Sequence, residues 1–291
     1  MNGRILVCFS SLLRHFEHTW PTIRRHVIEP LPTLFDVAGH FPASERGRGA
    51  ERLAEMAGDC RLRFEGDPEF PAEWLSMEEG IDPEQPRGVF GNLLQWNSLA
   101  RCADLKREME ADHGVYDWVV WMRPDLYFFS PIEDLAAASR DAIYFPIHDA
   151  YWGLNDRFCF GESQAMELRM RILDFFVNRW YGRRSKCRHV RRRENGSMFW
   201  NPEVVLRSLI DDHEIGLRRT ESVSGLVRAS QENQQAPTLY VSQPQVWDTD
   251  VAQPPAFRAT CRRLLTIPTV RRPIDRVPLM PLDDCTRVFA H

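Results

Sequence analysis

An arginine and an aspartate that follow a long apolar run are the residues of this sequence best suited to chemistry. Residues 116–122 predict a buried strand, and Pro124 prevents that strand from continuing in a central ladder. Ligands of open α/β sheets bind beyond the carboxyl ends of the strands. There, Asp125 would hold a divalent cation (Mn²⁺ or Mg²⁺) and Arg123 would contact phosphate groups. The alternative is structural: Asp125 caps a turn and Arg123 pairs with a surface acid.

A second group of candidate residues lies in the segment 147–162, where polar side chains alternate with aromatic ones. This composition suits a carbohydrate pocket, with His148 and Asn155 contacting the substrate. Transfer to a hydroxyl group with inversion needs a general base, for which Asp156 is the first candidate and Asp149 the second. The structural alternatives are an Asx turn at Asp156, an ordinary loop histidine at His148 and core positions for the aromatic rings.

The turn after the first apolar run offers a third set of contacts. Ser10 and Arg14 lie where a strand passes into a helix, and backbone N–H groups at such a turn favour anions. The sequence therefore predicts that both residues line a nucleotide pocket. An exposed position on the helix surface is the alternative for Arg14.

A strongly basic stretch covers residues 179–193, with seven arginines and one lysine and no acid between them. Such a cluster can bind an anionic membrane surface, which would suit a lipid-linked acceptor. Nucleic acid is the least favoured partner because no recognition motif accompanies the charge. The alternative is an exposed, solvated loop.

The elements that must position these residues alternate between strands and helices. Residues 4–9 are typical of a buried parallel strand, Ser10 and Ser11 predict the cap of a helix over 12–28, and 33–41 predict a second strand. This order opens an α/β fold. Helices are also predicted around 50–56 and over 91–112, 131–139, 163–180 and 202–213, and strands over 142–145, 217–220 and 226–229. Residues 65–86 carry eight acids, four prolines and no base, which indicates an exposed insertion.

Composition excludes several classes of protein. The chain has 291 residues, 34.0 kDa, 43% hydrophobic residues and a net charge of −4, so it is neither disordered nor a general polyanion binder. Seven cysteines without a CxxC motif indicate reduced thiols and a cytoplasmic location, and no run reaches the roughly 20 apolar residues of a membrane helix. The phosphate-loop, dinucleotide, zinc-protease and serine-hydrolase motifs are missing from the sequence.

Three segments resemble the nucleotide-sugar glycosyltransferases of the GT-A fold, in the version found in bacterial and viral polysaccharide-type proteins. Residues 7–14 are similar to their CFSGxLR opening, 119–126 to the strand that ends in their DxD motif, and 153–161 to their GxNDxFxxG segment. The sequence departs from the pattern at Ser11, which replaces glycine, and at Arg123, which replaces the first aspartate. The resemblance implies a nucleotide-diphosphate sugar donor and a metal or diphosphate contact at Asp125, and the Arg123 departure favours weak metal dependence.

Together these observations predict an α/β, GT-A-like single domain with insertions, in which helices flank a central, mostly parallel sheet. Residues 1–165 would form the nucleotide-sugar-binding core and 166–291 an acceptor-side and C-terminal extension. The expected function is transfer of a sugar to a glycan or lipid-linked acceptor in surface polysaccharide synthesis, in the cytoplasm or at the inner membrane face. Two alternatives stay open: a non-catalytic protein that binds nucleotide sugar or glycan, and a peripheral membrane or polyanion-binding protein that uses residues 179–193.

Overall fold

The architecture is taken from a computed structural model of the chain. The structure describes residues 3–31, 34–78, 81, 88–132, 134–146, 153–192, 198–220, 222, 224–229, 237–240 and 272–273. Its α-helices are α1 (Phe16–Ile23), α2 (Ala72–Leu75), α3 (Gly88–His113), α4 (Ser163–Met170), α5 (Ile172–Phe175) and α6 (Pro202–Asp212). Its strands are β1 (Ile5–Ser10), β2 (Phe35–Pro42), β3 (Cys60–Glu65), β4 (Trp118–Met122), β5 (Leu126–Phe128), β6 (Ala142–Pro146), β7 (Phe158–Gly161), β8 (Arg191–Arg192), β9 (Met198–Phe199), β10 (Gly216–Thr220), β11 (Ser224–Ala229), β12 (Pro237–Tyr240) and β13 (Arg272–Pro273).

A seven-stranded sheet with the order β10-β6-β7-β4-β1-β2-β3 organises the described residues. Strand β7 pairs antiparallel with both of its neighbours, and every other pair in this sheet is parallel. Strand β5 leaves the large sheet and pairs antiparallel with β11 in a second sheet of order β13-β12-β11-β5. The residues that follow β4 therefore lie where the chain passes from one sheet to the other.

Helices cover both faces of the large sheet, because its central strands are apolar on both sides. In β1, Leu6 and Cys8 join a core with α3, α4, α5 and α6, whereas Ile5, Val7 and Phe9 join the opposite core with α1. Side chains alternate between the faces of a strand, so one uninterrupted apolar run fills both cores. The predicted α/β fold class, with a mostly parallel sheet flanked by helices, is confirmed.

Two predicted helices are wrong in position or in kind. The first helix begins at Phe16 and not at residue 12, because Ser11 (φ 99°) and His15 (φ 55°) both adopt left-handed backbone conformations that interrupt a helix. Arg24–Ile28 continues α1 as a π-helix. The predicted helix over 131–139 is absent from the described part of that segment, which contains turns.

Two strands of the large sheet were not predicted. Strand β3 follows the helix that was expected around 50–56 and ends where the expected insertion 65–86 begins. Of that expected helix, only Ala50–Leu53 is helical, as a 3₁₀ turn. The side chains of β3 are half-buried, and Arg63 forms an ion pair of 2.6 Å with Glu108 on α3. Strand β7 lies inside the segment 147–162, which was expected to be a loop. It was missed because its four residues are too few for a clear periodic signal.

The buried ring of His26, in the π-helical segment after α1, gives a testable pH dependence. Burial lowers the pKa of His26 to about 4, and its Nδ1 has no hydrogen-bond partner within the described residues. The unfolded chain, with an ordinary histidine pKa, therefore takes up this proton first as the pH falls. We expect the contribution of His26 to stability to be complete above pH 6.5 and to be lost between pH 6.5 and 4, by up to about 3 kcal/mol.

Urea unfolding of the wild type and of His26→Phe at pH 7, 5.5 and 4.5 measures this effect. The wild type should lose more stability than the variant as the pH decreases, since the other titrating groups are common to both proteins. Equal losses in the two proteins would contradict a buried, neutral His26.

Candidate active site

The candidate site lies at the carboxyl ends of β1, β2, β3 and β4, where parallel strands of the large sheet stop. A cavity of about 160 Å³ opens there, lined by the turn after β1, the ends of β2 and β3, and the first turns of α3. The polar side chains that line this cavity include those of Ser11, His40, Glu65, Gln95 and Ser98. Because the carboxyl ends of parallel strands meet along one edge, side chains from four separate segments face one another here.

Arg123 and Asp125 form a buried ion pair with two hydrogen bonds next to this cavity. Arg123 Nε donates to Asp125 Oδ1 at 2.9 Å and Nη2 donates to Oδ2 at 2.6 Å, a bidentate geometry. Arg123 is 6% exposed and Asp125 is 1% exposed. Burial disfavours the charge of Arg123, but the attraction of Asp125 outweighs it and the pKa of Arg123 is raised above its usual value. The guanidinium group of Arg123 therefore keeps its charge in this buried position.

The metal-binding role expected of Asp125 stays a prediction. Each of its carboxylate oxygens accepts one hydrogen bond from Arg123, so a cation bound there would share these oxygens with the guanidinium group. The positive charge next to this carboxylate is supplied by Arg123.

Gln95 connects the ion pair to Asp156, the first candidate for the general base. Arg123 Nη1 donates to Gln95 Oε1 at 3.4 Å, and Gln95 Nε2 donates to Asp156 Oδ2 at 3.1 Å and to its carbonyl oxygen at 3.3 Å. Gln95 lies on α3 and also lines the cavity. One helix side chain thus joins two expected site residues, Arg123 and Asp156, that are 33 positions apart in the sequence.

Positive charge exceeds negative charge around Asp156. Arg157 Nε lies 3.9 Å from Asp156 Oδ1, and Arg169 Nη2 donates to the Asp156 carbonyl oxygen at 3.4 Å. Arg169 is 1% exposed, and its Nε and Nη1 have no hydrogen-bond partner within the described part of the chain. Three arginines, including Arg123, therefore face two aspartates, an imbalance that favours an anionic ligand.

Ser10 is buried in the core and does not line the pocket in which it was expected. The residue is fully buried, and its hydroxyl accepts a hydrogen bond of 2.9 Å from the indole N–H of Trp121. The guanidinium group of Arg169 stacks on the same indole at 4.0 Å. Burial at the end of β1 prevents Ser10 from lining the cavity, which the next residue, Ser11, does.

The segment that carries Asn155 and Asp156 is anchored to α6. Leu154 N donates to the carbonyl oxygen of Glu203 at 3.1 Å. Asn155 is buried and its side-chain oxygen accepts from Arg157 N at 2.9 Å, as in an Asx turn. Asn155 therefore shapes the loop that presents Asp156, whose side chain stays next to the network.

His40 closes the cavity on the side of β2. Ser98 Oγ donates to the His40 carbonyl oxygen at 3.0 Å, so the hydroxyl group is the acceptor for His40 Nδ1 at 2.9 Å. His40 Nε2 then faces Glu65 Oε2 at 3.2 Å and needs a second proton to donate to it. Burial lowers the pKa of His40 and Glu65 partly offsets this, so the neutral ring prevails at neutral pH.

Arg14 lies apart from this network. It lines a wider cavity of about 740 Å³ between the turn after β1 and residues 47–52, together with Arg48 and Arg52. The prediction that Arg14 contacts a nucleotide therefore concerns a different opening from that of Ser11 and Gln95.

Three arginines of the stretch 179–193 form ion pairs with carboxylates of α6. Arg179 and Arg183 lie 3.8 Å and 3.4 Å from Asp212, and Arg188 pairs with Asp211 at 2.5 Å. These pairs with α6 oppose the release of the arginines to an anionic surface. The interaction with a membrane stays a prediction, and the helices that the structure describes are all too short or too polar to cross a bilayer.

His148 and Asp149 lie outside the described residues. The structure brings together four of the other expected residues: Arg123, Asp125, Asn155 and Asp156. Ser10 is buried at the end of the neighbouring strand β1. Sequence reasoning missed Gln95, Arg157 and Arg169. Of these, Arg157 stands next to Asp156 in a recognised segment, whereas Gln95 and Arg169 lie in helices where no pattern distinguishes them from surface residues.

A family model described as Domain of unknown function (DUF7796) matches residues 1–177. The chain belongs to the DUF7796 family. The matched DUF7796 region contains β1 to β7, α3 and α4, and with them the whole network from Arg123 to Arg169.

No curated protein matches this sequence. Among the solved structures similar to this DUF7796 protein is the crystal structure of mouse xyloside xylosyltransferase 1 in its apo form. The two chains have 7% sequence identity and a TM-score of 0.42, and the match covers 74% of this chain and 84% of that chain.

Proposed function

We propose that this protein transfers a sugar from a nucleotide-diphosphate sugar to a glycan or lipid-linked acceptor, in the synthesis of a surface polysaccharide. The observation that carries the proposal is the buried network Arg123–Gln95–Asp156 at the carboxyl ends of the strands, next to a cavity and with an excess of positive charge. The three segments that resemble GT-A glycosyltransferases agree with it. Residues 1–165 would bind the donor and later residues the acceptor.

In this proposal Arg123 neutralises the charge that develops on the diphosphate leaving group, and Asp125 keeps the guanidinium group in position. Asp156 accepts the proton of the acceptor hydroxyl while that oxygen attacks the anomeric carbon and the bond to the diphosphate breaks. Arg157, beside the Asp156 carboxylate, and Arg169, which donates to the Asp156 carbonyl oxygen, hold this residue in position. Asp149 stays the second candidate for the base.

We expect Asp156→Asn to lower kcat for nucleotide-sugar turnover by about 10²–10⁴-fold, because an amide cannot accept the proton. The KM for the donor should change by much less, since the amide keeps the hydrogen bond from Gln95. The measurement is nucleotide release by the full chain: the nucleoside diphosphate from UDP-, GDP- and dTDP-sugars, and CMP from CMP-sugars. Asp112→Asn, an exposed carboxylate at the far end of α3, is the matched control. Undiminished turnover by Asp156→Asn would exclude Asp156 as the base.

A non-catalytic protein that binds nucleotide sugar is the second candidate. The replacement of the first aspartate by Arg123 favours it, since Arg123 competes with a cation for the Asp125 carboxylate. A thermal-shift screen with the same nucleotide sugars distinguishes the two functions, because a ligand that binds only the native state raises Tm. A shift with turnover supports the transferase, a shift without turnover supports the binding protein, and no shift with any donor contradicts both.

A further inference from the structure

A group of three metal-binding side chains lies at the start of α1, away from the Arg123–Asp125 pair. His15, Glu17 and His18 each offer one ligand atom, and these atoms lie within 4.8 Å of one another. Within the described part of the chain this is the one group of three or more such side chains that close together. His18 Nε2 and Glu17 Oε1 are already 3.5 Å apart.

These separations are near those that a bound cation requires. Metal–nitrogen and metal–oxygen bonds of 2.0–2.2 Å place two ligand atoms of a tetrahedral site roughly 3.3 Å apart. The distance between His18 Nε2 and Glu17 Oε1 is close to this value, and the other two distances need a contraction of at most about 1.5 Å, which χ rotations of partly exposed side chains can supply. The backbone is already arranged for it, since His18 N donates to the His15 carbonyl oxygen at 2.9 Å in the first helical turn.

The group faces open space, so a cation bound there would keep free coordination positions. His15, Glu17 and His18 form part of the wall of the cavity of about 740 Å³. Arg14 and Arg52 line the same cavity, which favours an anion as the remaining ligand.

We propose that His15, Glu17 and His18 bind a divalent first-row transition metal, with Zn²⁺ as the reference ion, at a site open to the cavity that contains Arg14. Two imidazoles and one carboxylate select such ions over Mg²⁺ and Ca²⁺, which take oxygen ligands. The site does not depend on the proposed transferase activity, because metal binding is measured without a donor sugar.

Calorimetric titration of the full chain with Zn²⁺ tests the proposal, and the visible absorption of added Co²⁺ reports the ligand geometry. We expect one equivalent of Zn²⁺ to bind, and His15→Gly/His18→Ala to weaken this binding by at least about 10-fold and to remove the Co²⁺ bands. Glycine at position 15 removes the ring without strain, since φ is 55° there. Glu17→Gln should weaken binding while preserving the fold.

The control is His113→Ala/His213→Ala, which removes two histidines outside the group and should bind Zn²⁺ as the wild type does. Circular dichroism checks that each variant is folded, and if the double variant is not, Glu17→Gln and His18→Ala singly decide the question. Equal Zn²⁺ affinity in wild type and group variants, or a wild type that binds less than one equivalent, would overturn the proposal.

Discussion

Replacing Arg123 by methionine is expected to destabilise the protein by about 3–5 kcal/mol, because it leaves the buried carboxylate of Asp125 without its partner. Asp125 is 1% exposed and both of its oxygens accept from Arg123, so water cannot replace the lost hydrogen bonds. In a chain of this size the loss corresponds to a decrease in Tm of roughly 6–20 °C. Urea denaturation measured by circular dichroism gives the free energy directly.

Two further variants separate the charge effect from the loss of packing. Arg123→Met combined with Asp125→Asn removes the unpaired charge, so we expect it to recover a large part of the stability. Arg61→Met breaks an ion pair of the same length, 2.6 Å, with exposed Asp112, and it should cost at most about 1 kcal/mol. If Arg123→Met costs no more than Arg61→Met, the buried pair is not the constraint described above.

Gly153→Ala is expected to have the second large effect, through a direct clash of backbone with side chain. A Cβ at this position would lie 2.0 Å from the carbonyl oxygen of Glu203 and 2.1 Å from its carbonyl carbon. Backbone atoms at the start of α6 cannot rotate away as a flexible side chain would. We expect a loss of about 3 kcal/mol or more, since the added methyl group must separate the two segments.

The same substitution should disturb the candidate site, because the hydrogen bond from Leu154 to Glu203 fixes the segment that carries Asp156. Gly182→Ala is the matched control, since a Cβ there meets nothing within 4 Å, and it should change stability by less than about 0.5 kcal/mol. Chemical denaturation of both variants tests the prediction. Similar stabilities for the two would show that residues 153 and 203 are not packed as described.

The parts of the fold that the sequence predicts best are those with uninterrupted apolar runs. Strands β1, β4 and β6 were predicted within two residues of their bounds, because burial on both faces leaves each of them with an almost uninterrupted apolar run. Strand β3 was missed because it is only half-buried and alternates arginines with apolar residues near a predicted helix. Helix α1 was predicted to begin too early, because nothing in the residue types of Ser11 and His15 reveals a positive φ.

Only those residues of the candidate site that lie next to strands were predicted from the sequence. Arg123, Asp125, Asn155 and Asp156 lie in short segments adjoining strands, where the order of the chain indicates which sheet edge they share. Gln95 reaches the site from the middle of a long helix, and only the packing of α3 on the sheet determines which of its polar residues face inward. Ser10 was predicted to lie in the site because its segment was recognised, but its hydroxyl group instead accepts a hydrogen bond from the indole N–H of Trp121 in the core.

The outer strands of the large sheet have a consequence for self-association. At one border, β3 carries the half-buried Arg61 and Arg63, which pair with acids of α3; at the other, β10 carries Arg218 and Arg219. A second copy that approached β10 would bring cationic side chains against like charges, and one that approached β3 would meet paired charged side chains. Unpaired backbone groups at a sheet border are otherwise a template for aggregation, and charged residues oppose that pairing. The large sheet is thus protected against growing from one molecule into the next.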